Sequence, residues 1–354
     1  MALRDERDGV LTVSVVCPVL NEEEGVGAFY DRATAALSQL EPLRYELLFV
    51  DDGSTDETGA ILRKLAIDDP RVSILEFSRN FGHQVAITAG MDHARGDAVI
   101  IIDSDLQDPP EVMVSMIEKW RAGFDVVYGQ RTGRPGESRF KIATARVFYR
   151  LINWMSDVTL PLDAGDFRLM DRRVVDALME IREENRYMRG LVSWVGFKQV
   201  ALPFQRDRRY AGQTKYPFRK MLRFASDAIS SFSDKPLRLA TQLGTLVTVV
   251  SLLTAIYIVM QKIFNPSGQL PGYASMMGVI LFLGGVQLLS VGILGQYIGR
   301  TYSETKRRPL YIVAERVNVD DAENADRLSG QLAGGRSTNK SSGSIAVGAV
   351  ARRH

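Results

Sequence analysis

The sequence has few of the residues that build disulfides and zinc sites. It contains one cysteine, Cys17, and three histidines, His83, His93 and His354. A single cysteine excludes a disulfide within the chain, and its place in the apolar run VSVVC predicts a buried structural thiol. The histidines show no spacing typical of zinc ligands. Neither a disulfide framework nor a zinc centre is therefore expected to organise the fold.

Two phosphate-binding motifs are also missing. No GxGxxG follows the first apolar run, and no GxxxxGK[ST] occurs anywhere, which disfavours a dinucleotide-binding Rossmann domain and a P-loop NTPase. The net charge of +2 disfavours a dedicated nucleic-acid binder. The opening residues, MALRDERDGV, lack an apolar stretch and predict no signal peptide. With 45% hydrophobic residues, the 354-residue chain can still bury a sizeable core.

Charge is absent from two long segments near the C-terminus, residues 239–261 and 263–299. A membrane-spanning helix needs about 20 apolar residues. Both segments reach that length, and FNPSGQLPG separates them as a helix-breaking turn. The interpretation is a two-helix transmembrane hairpin over residues 236–300, and the alternative is a pair of buried helices in a large soluble core.

Basic residues flank this predicted hairpin and are scarce between its helices. They are Arg219, Lys220, Arg223, Lys235 and Arg238 before it, Lys262 within it, and Arg300, Lys306, Arg307 and Arg308 after it. The positive-inside rule then predicts that the N-terminal domain and both termini are cytoplasmic in a multi-pass protein of the inner or plasma membrane. A free thiol is compatible with that compartment.

The first 130 residues alternate between strand-like and helix-like segments. The strand candidates are LTVSVVCPVL, YELLFVDD, RVSILEFS, DAVIIIDSD and FDVVYGQR. Helical patterns lie between them at residues 22–40, 55–66, 83–94 and 110–121. This alternation predicts an α/β fold with a mostly parallel sheet covered by helices on both faces.

Polar clusters follow four of these strands, at residues 18–24, 51–56, 78–82 and 103–108. In parallel α/β sheets, ligands bind beyond the carboxyl ends of the strands, so the clusters predict one site. The last cluster, DSDLQD, brings together carboxylates that repel one another without a counter-charge. A divalent cation that bridges carboxylates to a diphosphate would keep Asp103 and Asp105 ionised. The alternative is an ordinary Asp-rich turn stopped by Pro109 and Pro110.

The remaining segments have a different character. Residues 136–235 include ESRFKIATARVFYRLINWM and KYPFRKMLRFASDAISSF, which mix basic, apolar and aromatic residues at roughly helical spacing. Next to membrane spans, such segments predict amphipathic interfacial helices, with ordinary surface helices as the alternative. Residues 301–354 form a predicted cytoplasmic tail, which is polar, Gly/Ser-rich and disordered after about residue 317.

Six motifs, in one order, resemble those of family 2 glycosyltransferases with the GT-A fold. They are CPVLNEEE, VDDGSTDET, FSRNFGHQVAITAGMDHARGD, DSDLQDPPE, AGDFRLMDR and GQTKYP, within about residues 11–310. More narrowly, the sequence is similar to the polyprenyl-phosphate glycosyltransferases, the group of bactoprenol glucosyltransferases and dolichol-phosphate mannose synthases. The resemblance implies a Rossmann-like cytoplasmic domain in which residues 1–135 bind a nucleotide sugar and residues 136–235 contribute to acceptor binding.

The resemblance also implies residue roles. The nucleotide-sugar contacts are Pro18, Leu20, Asn21, Glu22, Asp52, Arg79 and Asp103. The DxDxQ metal motif, for Mg²⁺ or Mn²⁺, is Asp103, Asp105 and Gln107. The acceptor and diphosphate contacts are Arg131, Arg139, Arg206, Arg209 and Lys215. Asp105 and Asp166 carry catalysis, with Asp166 at the catalytic-base position. His83 is expected to start a helix outside catalysis, Gln84 to meet substrate, and Asp108 to cap the turn before Pro109.

The implied reaction is an inverting, metal-dependent transfer of a hexose to undecaprenyl or another polyprenyl phosphate. Glucose from UDP-glucose is the leading donor; GDP-mannose, UDP-N-acetylglucosamine and an aminoarabinose donor are alternatives. A polysaccharide synthase is a further alternative, although the sequence has no QxxRW, and so is a noncatalytic membrane scaffold. Membrane lipid, a second copy of the chain, a flippase and a downstream glycosyltransferase are the further partners to consider; nucleic acid is not. Because the acceptor phosphate is largely a dianion at neutral pH, Asp166 is open to a base or a positioning role.

Overall fold

An eight-stranded sheet lies at the centre of the protein, whose computed structural model describes residues 10–40, 42–132, 164–207, 235–264 and 272–319. The strands are β1 (Thr12–Val19), β2 (Arg44–Asp51), β3 (Val72–Phe77), β4 (Ala98–Ile101), β5 (Val126–Arg131), β6 (Ala164–Asp171), β7 (Gln199–Phe204) and β8 (Val313–Val317). The helices are α1 (Val26–Leu37), α2 (Thr58–Asp68), α3 (His83–His93), α4 (Val112–Arg121), α5 (Arg172–Glu180), α6 (Met188–Trp194), α7 (Lys235–Phe264) and α8 (Tyr273–Lys306). The strand order is β7-β5-β6-β4-β1-β2-β3-β8.

The sheet is mostly parallel, as predicted. β6 and β8 are antiparallel to the other six strands. The central strands are apolar along their length because helices cover both faces of the sheet. One core contains Phe29 and Trp120, and the core on the opposite face contains Met91 and Leu178. Cys17 is buried, as expected for a structural thiol.

β6 is the strand that completes the predicted binding edge. It lies between β4 and β5 and is antiparallel to both, so it begins at the edge where its neighbours end. Ile101 on β4 pairs with Arg168 on β6. If this register is continued by two residues, Asp103 lies opposite Asp166. No strand was predicted for this segment, which the sequence marks only as a motif.

β8 extends the sheet at its other edge, after the long C-terminal helices. It pairs antiparallel with β3, and Arg63 from α2 forms ion pairs with both Glu76 and Glu315 across that pairing. The side chain of Asn318 donates to the carbonyls of Ala66 and Val72, each at 2.9 Å. The expected tail from residue 301 therefore begins with the last turns of α8 and continues as a strand of the central sheet. The tail beyond residue 319 lies outside the described residues, as do the predicted interfacial helices.

Two long helices, α7 and α8, span 30 and 34 residues. Many of their large apolar side chains are exposed to the surroundings of the protein, including Leu253 at 61% and Leu288 at 75%. One segment of α8, Gly278–Lys306, is long and apolar enough to cross a membrane, and an apolar stretch of α7, Ala240–Thr254, is shorter. Exposed apolar helices of this kind are typical of membrane association, not of a soluble core.

Candidate active site

The turn after β4 carries the predicted metal ligands. Leu106 adopts a left-handed backbone with φ of 57°, and the backbone N–H of Gln107 donates to Asp105 Oδ1 at 3.1 Å. The Oδ1 atom of Asp103 is shielded from solvent and has no hydrogen-bond partner among the described residues. Burial, together with the charges of Asp166, Asp105 and Asp108, raises the pKa of Asp103 to about 6 against the opposing effect of His83. The turn thus concentrates negative charge that lacks full compensation.

This charge imbalance suits a divalent cation. Within the described ranges, no group of three or more His, Cys, Asp or Glu side chains is arranged to hold a metal ion. Mg²⁺ does not need such a protein cage, because it binds through one or two carboxylates, waters and substrate phosphates. The oxygen donors on residues 103–107 fit that mode, with the shielded oxygen of Asp103 as one ligand. The metal motif therefore stays a prediction that the local chemistry supports.

Asp166, at the start of β6, is held by side chains from two helices. Arg189 on α6 donates to both of its oxygens, at 3.0 and 3.1 Å, and Gln84 on α3 donates at 3.3 Å. Burial would raise the pKa of Asp166, but His83, Arg189 and Arg168 outweigh it and hold that pKa well below its usual range. A carboxylate stabilised in this way is a weak base and a well-oriented hydrogen-bond acceptor.

His83 occupies the space between the two acidic groups. Its Nε2 lies 3.5 Å from Asp103 Oδ1 and 3.6 Å from Asp166 Oδ2. Burial opposes protonation, but the two carboxylates together raise the pKa of His83. Gly82, with φ of +105°, lets the chain turn directly into α3 and sets His83 at its first position. His83 therefore begins a helix, as expected, but at the centre of the candidate site.

The predicted nucleotide-binding loops after β1, β2 and β3 contact one another. Asn21, in the left-handed region with φ of 54°, donates from its N–H to Ser54 Oγ and accepts from the N–H of Thr55. Asp52 accepts hydrogen bonds from the N–H groups of Phe81 and Gly82 at 2.6 and 2.9 Å. The three predicted loops thus meet at one edge, and Asp52 is engaged in holding the β3–α3 loop.

The other predicted nucleotide contacts lie along the same edge. Pro18 is in β1 and Leu20 is exposed just beyond it, while the N–H of Glu22 donates to Thr58 Oγ1 at 2.9 Å. The guanidinium of Arg79 lies 4.0 Å above the ring of Phe81. These positions leave an exposed surface beside the loops, and their roles toward a nucleotide stay predictions.

Two of the predicted phosphate-binding arginines share one buried carboxylate. Arg131 Nη2 lies 3.4 Å from Asp108 Oδ2, and Arg206 Nε lies 3.3 Å from Asp108 Oδ1. Both arginines stand at the ends of neighbouring parallel strands, β5 and β7. The structure therefore brings these two together at the edge that holds Asp103. Arg139, Arg209 and Lys215 lie outside the described residues.

Comparison with known proteins decides the family. The profile of glycosyl transferase family 2 matches residues 14–179, and that of the GtrB C-terminal hairpin matches residues 235–301. An uncharacterized glycosyltransferase of Bacillus subtilis is 50% identical over 87% of this chain and 95% of its own length. A bactoprenol glucosyl transferase of Shigella phage SfX is 44% identical over 86% of this chain and 100% of its own length. The chain belongs to glycosyl transferase family 2.

The family 2 membership confirms the predicted family and GT-A fold class, and the second profile confirms a C-terminal hairpin. Among solved structures, mannosyl-3-phosphoglycerate synthase from Rubrobacter xylanophilus matches 66% of this chain and 75% of its own, with 20% identity and a TM-score of 0.43. The protein is thus a glycosyltransferase with a membrane-associated C-terminal region.

Arg189 is the site residue of this glycosyltransferase that the sequence did not reveal. It lies 23 residues beyond Asp166, on a seven-residue helix outside every recognised motif. Only the tertiary packing of α6 against β6 brings it to Asp166. The sequence does mark His83, because it directly follows the loop motif FSRNFG. Nothing in the local sequence indicates that its side chain faces two carboxylates.

Proposed function

We propose that this family 2 glycosyltransferase moves a hexose, with UDP-glucose as the leading donor, onto a polyprenyl phosphate at the cytoplasmic face of a membrane. The observation that carries the proposal is the shared edge where Asp103, Asp166 and the Arg131–Arg206 pair meet. Relatives 44% identical over 86% of the chain are named bactoprenol glucosyl transferases, which supports the acceptor class and the sugar.

The donor half of the site would hold a nucleotide diphosphate. The loops around Asn21, Asp52 and Arg79 would take the nucleotide, and Asp103, Asp105 and Gln107 would hold Mg²⁺ or Mn²⁺. When bound, such a cation neutralises charge that develops on the leaving diphosphate. His83, between Asp103 and Asp166, keeps the two acidic groups apart at the junction of donor and acceptor.

The acceptor half would hold a phosphate monoester. Its second pKa is about 6, so at neutral pH an oxygen of the dianion can attack the anomeric carbon without a base. The bond to UDP breaks as the new bond forms, UDP leaves with the electron pair, and the configuration inverts. Asp166, fixed by Arg189 and Gln84, would then position a sugar hydroxyl, while Arg131 and Arg206 bind the phosphate oxygens.

The membrane part of the proposal rests on α7 and α8. Their exposed apolar side chains support two membrane-spanning helices with both flanks in the cytoplasm, where nucleotide sugars are found. Because β8 joins the catalytic sheet, the end of α8 and the active site are expected on the same side of the membrane. The four-part division of the chain, a homo-oligomer, a flippase and a downstream glycosyltransferase stay predictions.

The test uses purified full-length protein with UDP-glucose, Mg²⁺ and undecaprenyl phosphate. We expect a glucosyl phosphate lipid, identified by mass spectrometry, whose anomeric configuration by NMR is β from the α-linked donor. An α-linked product would contradict in-line displacement. Free glucose without any lipid product would contradict the acceptor assignment.

A further inference from the structure

Asp108 has an environment that a turn cap does not need. It is 1% exposed, in the loop between β4 and α4, and its two oxygens face guanidinium groups from two other segments of the sheet. Arg131 comes from the end of β5, and Arg206 lies two residues past the end of β7. One buried negative charge therefore sits between two positive charges, and the nearby carboxylates of Asp105 and Asp103 also act on Arg206.

The backbone leaves space for this arrangement at Gly165. A Cβ atom at that position would lie 2.9 Å from Arg131 Nη2, at the end of a flexible side chain, so glycine leaves room for the guanidinium to lie beside the start of β6. The Nε atoms of Arg131 and Arg206 are shielded from solvent and make no hydrogen bond to the described residues. Each side chain is 32% exposed, and the described residues satisfy only part of the hydrogen-bonding capacity of the pair.

We propose that Asp108 is a positioning residue that fixes Arg131 and Arg206 as a pair for the phosphate of the lipid acceptor. The inference rests on the proposed function, since it assigns the phosphate that this pair binds. Two guanidinium groups at close range repel each other, and a carboxylate between them offsets that repulsion and sets their spacing. A phosphate monoester, with several acceptor oxygens and up to two negative charges, matches a pair of forked donors held on one carboxylate.

The test is a double-mutant cycle on binding of farnesyl phosphate, a short-chain probe, to the full chain in detergent. Asp108→Asn keeps the shape and removes the charge, and we expect it to weaken binding about tenfold, as does Arg131→Ala. If Asp108 acts through Arg131, the double variant should bind farnesyl phosphate with about the same affinity as the single variant that binds it less tightly. UDP affinity should change less than twofold. Asp69→Asn, which breaks the ion pair of a buried carboxylate with the half-exposed Arg71 elsewhere, is the matched control and should leave farnesyl phosphate binding unchanged.

Additive losses in the cycle, or equal losses of UDP and farnesyl phosphate affinity, would overturn the inference. Asp108→Glu provides a second variant because it keeps the charge but moves it by one methylene. We expect Asp108→Glu to fold and to weaken farnesyl phosphate binding selectively, and wild-type affinity would overturn the inference. Binding of the probe needs no donor. If the losses in the cycle are not additive but the wild type transfers no sugar, the proposed reaction is refuted and this inference stands. If the wild type transfers sugar but the losses of farnesyl phosphate affinity are additive, only this inference is refuted.

Discussion

Asp166 illustrates how neighbours decide the chemistry of a single carboxylate. Two hydrogen bonds from Arg189 and the nearby imidazole of His83 keep it ionised, so it has little tendency to take up a proton. A sugar hydroxyl acceptor would need a base, but a phosphate dianion does not. The environment of Asp166 therefore agrees with a phosphate acceptor and with a positioning role.

Asp166→Asn should lower the transfer rate about a hundredfold through misplaced groups without removing a limb of the pH profile. The pKa of Asp166 is depressed, so the carboxylate is ionised at every pH of a normal assay. Its titration therefore adds no limb to the pH profile of the transfer rate. The acid limb should instead follow the acceptor phosphate, near pH ~6, and Asp103, whose pKa is raised to about 6. Initial rates between pH 5 and 9 check this. Loss of a limb in the variant would restore the base role.

Asp105→Asn should abolish transfer and leave the protein folded. The turn after β4 contains several carboxylates, so replacing one removes a metal ligand and relieves repulsion instead of breaking the core. Transfer is measured with and without excess EDTA, and folding by thermal melting in detergent. Near-wild-type activity in the variant, or in wild-type enzyme with EDTA, would refute the metal assignment.

At the scale of elements, the close approach of α3 to β1 places His83 and Gln84 at the binding edge. A Cβ at Gly90 on α3 would lie 2.1 Å from Val16 Cγ1 on β1, so only glycine permits this packing. Gly27 on α1 has no atom within 4 Å of the corresponding position. The two helical glycines therefore differ in what they do for the fold.

Gly90→Ala should destabilise the protein by about 1–3 kcal/mol, because overpacking forces α3 away from the sheet. Gly27→Ala, the matched control, should be neutral or stabilising by up to about 1 kcal/mol, since alanine favours helix. Melting temperatures of the full chain in detergent compare the two. A Gly90→Ala variant as stable as Gly27→Ala would contradict the described packing.

The elements also show what the sequence could and could not predict. β1–β5 and α1–α4 were predicted because each has its own apolar periodicity and turn signals. β6 was missed because Asp166 and Arg168 break its apolar pattern, and both are buried only through contacts with other elements. β8 is a short edge strand with charged residues, and its partner β3 lies about 240 positions earlier, so no local pattern identifies it.

The same distinction holds for the site. Asp103, Asp105 and Arg131 were predicted at the ends of strands, and Arg206 from a loop that resembles one in the family. The structure brings Asp103 and both arginines to one edge. The partners of these residues were not predictable. Arg189 and the shared carboxylate of Asp108 act through side-chain contacts between segments far apart in the chain.

At the scale of the whole molecule, the catalytic sheet and the apolar hairpin are joined closely at the C-terminal end of α8. Glu304 near that end accepts a hydrogen bond from the N–H of Glu184 at 2.8 Å, in the segment that leads into α6 and Arg189. Seven residues after α8, the chain enters β8. The proposed donor site is thus fixed next to a membrane-associated helix, as the proposed transfer to a lipid requires.

The central claim is transfer of glucose to a polyprenyl phosphate, and a donor panel tests it most directly. Membranes containing the full chain are incubated with undecaprenyl phosphate and, separately, with radiolabelled UDP-glucose, GDP-mannose, UDP-N-acetylglucosamine and a UDP-linked aminoarabinose. Membranes with the Asp105→Asn variant serve as the control. We predict a labelled lipid from UDP-glucose that is absent from the control. Labelled lipid only from another donor would contradict the sugar assignment, and no labelled lipid from any donor would contradict the function itself.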